Sequence, residues 1–174
     1  MLIRLATLLD IPYIDHLRKQ EGEALGFIPL RRYEMEISGE RHGSIIVCEE
    51  NGDLVGFVYA THNSAGVTHI QQVAVQEDAR RMDRASALVL ATQRRTDWLM
   101  SCRCAAELES THFWNALGFK VLDEVAPKSG YGRWRDKATL PTRRKRTILR
   151  FQKEVGGLWQ PSSGLPKAPN AVNW

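Results

Sequence analysis

The stretch "SIIVCEENGDLVGFVYAT", residues 44–61, constrains the fold more than any other part of the chain. Two runs rich in β-branched and aromatic residues are joined through Asn51-Gly52, a pair that tolerates the positive φ of a tight hairpin turn. "VTHIQQVAV" (67–75) follows as a third strand in a row. Alternation along it predicts His69, Gln71, Val73 and Val75 on one face and Ile70, Gln72 and Ala74 on the other.

Around this antiparallel centre the pattern changes. "LIRLA" (2–6) suits a short first strand, and Asp10 can cap a helix carrying Ile11, Ile14 and Leu17 at helical spacing. A glycine break at Gly26 precedes a second helical pattern from Leu30. After the third strand comes "ARRMDRASAL" (79–88), charged and loop-like, which runs into an Ala/Leu-rich helix. "MSCRCAA" (100–106) reads as a strand, "ESTHFWNALGF" (109–119) as a short helix ended by Gly118, and "KVLDEVA" (120–126) as a strand. "GYGRWRDKA" (130–138) suits a final strand or a loop, and "TRRKRTILRFQKEV" (142–155) one more helix with Ile148, Leu149 and Phe151 as its apolar contacts. The expected fold is α/β, more closely α+β: a mixed, mostly antiparallel sheet of six to seven strands flanked by about four helices, with one βαβ crossover.

Charge divides the chain. Residues 1–139 hold 17 Lys+Arg against 19 Asp+Glu, whereas residues 140–174 hold seven basic residues against one acid. A basic extension on a near-neutral body, with the boundary near residue 139, suits either a polyanionic partner or a solvated helix face. Arg143, Arg144, Lys145, Arg146 and Arg150 are the groups that would meet a nucleic acid. Gly, Pro and Ser then dominate residues 156–174, and Trp159 and Trp174 are costly to leave in water; they would dock on the body or on a second copy in a homodimer.

Three cysteines make no even-numbered framework, and no apolar run reaches the roughly 20 residues of a membrane span. The first residues, interrupted by Arg4 and Asp10, do not read as a secretion signal, so the cytoplasm is the expected compartment. Cys102 and Cys104 share one strand face and lack partners at metal-ligand spacing; buried core thiols are expected and no metal site.

Element order and three local motifs resemble the GNAT family of acyl-CoA-dependent N-acyltransferases. "VAVQEDARRMDRASAL" is similar to the family's V-x-x-x-x-R-G-x-G-x-G/A-x-x-L: Val75, Arg80, Ala85 and Leu88 match, while Arg81 and Asp83 replace glycines. "FWNALGF" is similar to F-Y-x-x-x-G-F with Trp114 in the tyrosine's place, and "ENGDLVGFVYA" resembles the family's hairpin before its cofactor strand. The resemblance covers roughly residues 2 to 135.

The resemblance implies acetyl transfer from acetyl-CoA to an amine, small or macromolecular, by direct attack. A loop that turns successive N–H groups to one point, followed by a helix N-terminus, suits the diphosphate of coenzyme A. Arg80, Arg81, Met82, Asp83, Arg84, Ala85 and Ser86 are the expected contacts, with the backbone of Val73, Ala74 and Val75 along the pantetheine and Trp114 nearby. Without its glycines, the same loop suits another phosphate, such as a nucleic-acid backbone, or an ordinary helix start. In histone-type members the general base lies six residues before the position of Val75. His69 stands there, with an ordinary pKa near 6.5, and Gln71 is placed to position an acceptor. Indole cannot protonate a departing thiolate, which leaves Ser110, His112 or Tyr131 as the acid, or departure of the thiolate to solvent. Two alternatives remain open: a DNA-base-modifying enzyme resembling the phage Mom-type proteins at fold level, using the basic tail, and a non-catalytic binding or assembly module.

Overall fold

A computed structural model of the chain describes residues 1–125 and 147–155. Its sheet has seven strands: β1 (Leu2–Leu5), β2 (Gly43–Glu50), β3 (Asp53–His62), β4 (Val67–Val75), β5 (Leu99–Ala105), β6 (Lys120–Val125) and β7 (Ile148–Glu154). They lie in the order β1-β2-β3-β4-β5-β7-β6, antiparallel throughout except for β4 beside β5. The helices are α1 (Ile11–Gln20), α2 (Gly22–Leu25), α3 (Leu30–Ile37), α4 (Arg84–Gln93) and α5 (Ser110–Ala116). The expected mixed sheet and its single crossover, β4-α4-β5, are both present. None of these helices is long and apolar enough to cross a membrane.

The hairpin turn at Asn51-Gly52 has φ of 53° and 91°, as its sequence requires. Its strands bury one core on each face. Ile46, Cys48 and Val58 pack with Leu88 and Val89 of α4, Trp114 of α5, and Met100, Cys102 and Cys104 of β5. Ile45, Val47, Phe57 and Tyr59 pack on the other side with Ile11, Ile14 and Leu17 of α1 and Tyr33 of α3. The three thiols are free and buried, as expected of core cysteines. Asp10 stands before α1 but caps the preceding turn: its carboxylate accepts the Thr7 N–H (2.7 Å) and binds Arg4 (2.8 Å).

Two expectations are corrected. Residues 148–154 form an internal strand, not part of a helix. Ile148, Leu149 and Phe151 fit helical spacing, but Leu149 and Phe151 also alternate, and their burial in the α4/α5 core between β5 and β6 decides the matter. Strand β7 thus belongs to the same sheet as β1–β6. On β4 the ladder slips: Tyr59 pairs with Gln72 and Ala60 with Ile70, leaving Gln71 as the extra residue of a β-bulge. Alternation is reset there, so Ile70 joins Val73 and Val75 on the α4 side.

Candidate active site

The bulge sits where the sheet opens. β4 and β5 pair only from Val67↔Leu99 to Ile70↔Cys102. Beyond that point β4 continues on β3 as far as Val75, while β5 continues on β7 as far as Ala105. Alternate backbone groups of a strand point to opposite neighbours, so part of the polar backbone of residues 71–75 faces a gap instead of a ladder. An extended chain with amide groups is the natural occupant of such a gap. The sequence-expected contacts Val73, Ala74 and Val75 line it.

At the far end of β4 the chain passes through a 3-10 turn, Glu77–Ala79, and enters α4. Arg81 has φ of 59° and Asp83 of 62°, so the two residues that replace the family's glycines take up the left-handed conformations glycine would adopt. Asp83 gives α4 no side-chain cap. The first N–H groups of α4, those of Arg84, Ala85 and Ser86, have no partner within the helix, and they carry the positive end of its dipole. This geometry suits a diphosphate group.

Two of the loop's arginines have partners within the protein. Arg84 donates Nη1 to the Met82 carbonyl (2.6 Å) and Nη2 to Glu50 Oε2 (2.8 Å), bracing the strained loop against the β2-β3 hairpin. That contact raises its own pKa and lowers that of Glu50. Arg80 donates Nε to the Val75 carbonyl (3.1 Å) and pairs with Glu21 at the end of α1. Both guanidiniums are therefore engaged by the protein, while Arg81 and Met82 are exposed.

Before the gap, His69 faces Ser101 across the parallel pairing, and its Nδ1 hydrogen-bonds the Ser101 hydroxyl. Burial, aided by Arg103 and His62, pushes its pKa below the usual imidazole value, which favours the neutral ring. Gln71, on the bulge, donates its amide to Thr61 Oγ1 (2.9 Å). Gln72, which sequence reasoning passed over, ties the site together: its Oε1 accepts the Tyr33 hydroxyl, and its Nε2 donates to the carbonyls of Leu25 (3.1 Å) and Gly26 (3.3 Å). The helical spacing of Tyr33 and Glu36 on α3 was the available signal that this face is buried.

The other candidates separate. Trp114 is only 5% exposed, with ring centroids 5.0 Å from Phe113 and 5.2 Å from Phe119; it is a core residue and offers a cofactor almost no surface. The Ser110 hydroxyl lies 3.1 Å from Cys104 Sγ at the start of α5. His112 is exposed. Arg150 is ion-paired to Asp123 across β6 and β7 and is not part of a free basic helix. Tyr131, Arg143, Arg144, Lys145 and Arg146 lie outside the described residues, as do Trp159 and Trp174. Among the described residues no group of three His, Cys, Asp or Glu side chains is placed to hold a metal.

Comparisons with known proteins bear on the fold and the family. No curated protein matches the chain in sequence. Among solved structures it is similar to a ribosomal-protein-alanine N-acetyltransferase from Brucella melitensis (17% identity, TM-score 0.67, covering 88% of this chain and 99% of that one). It is also similar to Arabidopsis thaliana NAA60 in complex with a bisubstrate analogue (12% identity, TM-score 0.72, 90% and 98%). A third is a phosphinothricin acetyltransferase from Sinorhizobium meliloti in complex with AcCoA (16% identity, TM-score 0.69, 94% of each chain). At these identities the likeness establishes the fold. A family model, described as the acetyltransferase (GNAT) family, matches residues 11–119. That span runs from α1 through the bulge, the strained loop and α5, and on it the chain belongs to the GNAT acetyltransferase family.

Proposed function

We propose that the chain transfers an acyl group, acetyl in particular, from acyl-CoA to an amine by direct attack. The observation that carries this reading is the backbone of residues 81–86: two left-handed residues and an uncapped helix N-terminus, held in place beside a gap in the sheet. Bound acyl-CoA supplies an activated thioester. The N–H groups of Arg84, Ala85 and Ser86 hold the diphosphate, and the open backbone of residues 71–75 holds the pantetheine arm.

The neutral imidazole of His69, oriented by Ser101, takes the proton that the attacking amine must lose, and the C–S bond breaks to release coenzyme A as a thiolate that takes its proton from solvent. Burial raises the pKa of Cys48, Cys102 and Cys104. None of these thiols is a ready nucleophile, which supports direct transfer over an acyl-enzyme route.

Calorimetric titration with acetyl-CoA and a release assay for free CoA test the proposal together. The expected result is micromolar binding that His69→Gln leaves intact while turnover falls by roughly 10²-fold or more. A folded protein that binds no acetyl-CoA would overturn it.

A further inference from the structure

Helix α2 is a single turn, Gly22–Leu25, lying beside β4. A helix of four residues is not stable by itself, and neither end of this one has a side-chain cap. Gly22, Ala24, Gly26 and Phe27 are exposed, and Leu25 packs only in part against the α1/α3 core. The turn closes on Gly26 with φ of 71° and ψ of 176°, a conformation essentially confined to glycine. Helix propensity and apolar burial therefore contribute little to holding this segment in place.

Two polar anchors hold it. At its C-terminal end Gln72 Nε2 donates to the carbonyls of Leu25 (3.1 Å) and Gly26 (3.3 Å), while Gln72 Oε1 accepts the Tyr33 hydroxyl. Gln72 is 2% exposed and Tyr33 is fully buried. Flipping the amide would set Oε1 against two carbonyl oxygens, so the side chain is a strut with one orientation. At the N-terminal end Glu21, between α1 and α2, pairs with Arg80, whose Nε also donates to the Val75 carbonyl (3.1 Å).

Both anchors come from the elements that meet the proposed donor. Gln72 follows the bulge in the open part of β4, and Arg80 begins the loop that leads through Arg81 and Asp83 into α4. On the opposite face of β4, Ile70, Val73 and Val75 pack into the α4/α5 core, which closes that side to an incoming amine. The amine must approach from the face that Gln72 and α2 share, and residues 21–27 border that approach.

We propose that Gln72, together with the Glu21–Arg80 pair, is a positioning device for transfer: a donor lying along β4 and its loop fixes both anchors, and the anchors fix the segment that flanks the incoming amine. The inference rests on the acyltransferase reading. Neither Gln72 nor Glu21 touches the reacting atoms; both act through residues 21–27.

The test is hydrogen exchange by NMR on the isotope-labelled full chain, with and without saturating acetyl-CoA. The reporters are the amides of Ala24, Leu25 and Gly26, which are hydrogen-bonded to the carbonyls of Glu21 and Gly22. In the parent, acetyl-CoA should slow their exchange by roughly tenfold or more. Gln72→Met, of similar length but without an amide, should speed it by roughly tenfold or more beyond any change at the core amides of β2 and β3, and should remove most of the donor's effect. A purely structural loss would speed the core amides by the same factor. The amides of residues 81–86 should still shift with acetyl-CoA in that variant. Glu21→Gln, at a partly exposed side chain, cuts the other anchor and should also speed exchange at the three reporters even if Gln72→Met lowers the folded fraction. Bound acetyl-CoA that leaves the reporters unchanged, or parental exchange there in either variant, would overturn the inference and leave the donor site standing. A folded parent that binds no acetyl-CoA would overturn the acyltransferase reading and the inference with it.

Discussion

Arg81 and Asp83, separated by one residue, both hold left-handed backbone, with φ of 59° and 62°. For a residue with a Cβ that conformation costs roughly 1–2 kcal/mol, less for Asp than for Arg. Glycine removes the strain but adds roughly 0.5–1 kcal/mol of unfolded-state freedom. Arg81→Gly is therefore expected to stabilise the protein by up to about 1 kcal/mol, and Asp83→Gly to change stability little. Denaturant unfolding measures both. Acetyl-CoA affinity should not fall in either variant, because the proposed diphosphate contacts are backbone N–H groups.

Arg84 braces that loop from Glu50 and the Met82 carbonyl. Arg84→Met should weaken acetyl-CoA binding by loosening the loop, and Glu50→Gln should do the same in part, although no phosphate lies near Glu50 in this account. Parallel calorimetry on the two variants checks it. An arginine acting only as a phosphate ligand would give no effect at Glu50.

The proposed base role of His69, with its lowered pKa, predicts how transfer should depend on pH. Imidazole accepts a proton only when neutral, so kcat/KM should fall as pH drops through a value below 6.5 and level off above it. His69→Gln should remove that limb while leaving acetyl-CoA affinity unchanged. A limb that survives the substitution would assign the base elsewhere.

Arg4 and Asp10 give a stability effect separate from the site. The Arg4 guanidinium and the Thr7 N–H hold the Asp10 carboxyl at about 2, below its ordinary 3.8. A depressed carboxyl contributes stability that is present above the unfolded value and lost as pH falls through the folded one. Asp10→Asn should cost about 2 kcal/mol at pH 7 and little near pH 2, as measured by urea unfolding at the two values.

Trp114 tests the division between core and site. Trp114→Phe should lower stability by roughly 1–3 kcal/mol through the space it leaves among Phe113, Phe119 and the sheet. The affinity for acetyl-CoA should stay within twofold of the parent.

Local signals made much of this structure legible. Asn51-Gly52 marked the hairpin, and the run from Val75 to Leu88 marked a strand, loop and helix, because turn chemistry and spacing act over a few residues. β7 was missed since Ile148, Leu149 and Phe151 suit a helix as well as a strand, and only the neighbouring β5 and β6 decide between them. The bulge at Gln71 has no glycine to announce it. Gln72 meets Tyr33 across 39 residues and Tyr59 meets Glu36 across 23, contacts that no local pattern encodes. The arginines of the loop showed their charge in the sequence, but the carboxylates that engage them, Glu21 and Glu50, come from elements distant along the chain.

The most direct measurement is an amide-resolved NMR titration of the isotope-labelled full chain with acetyl-CoA. The account predicts that the amides of residues 71–75 and 81–86 shift together along one micromolar isotherm. Binding that leaves those amides in place, or a folded spectrum unchanged at about 1 mM acetyl-CoA, would contradict it.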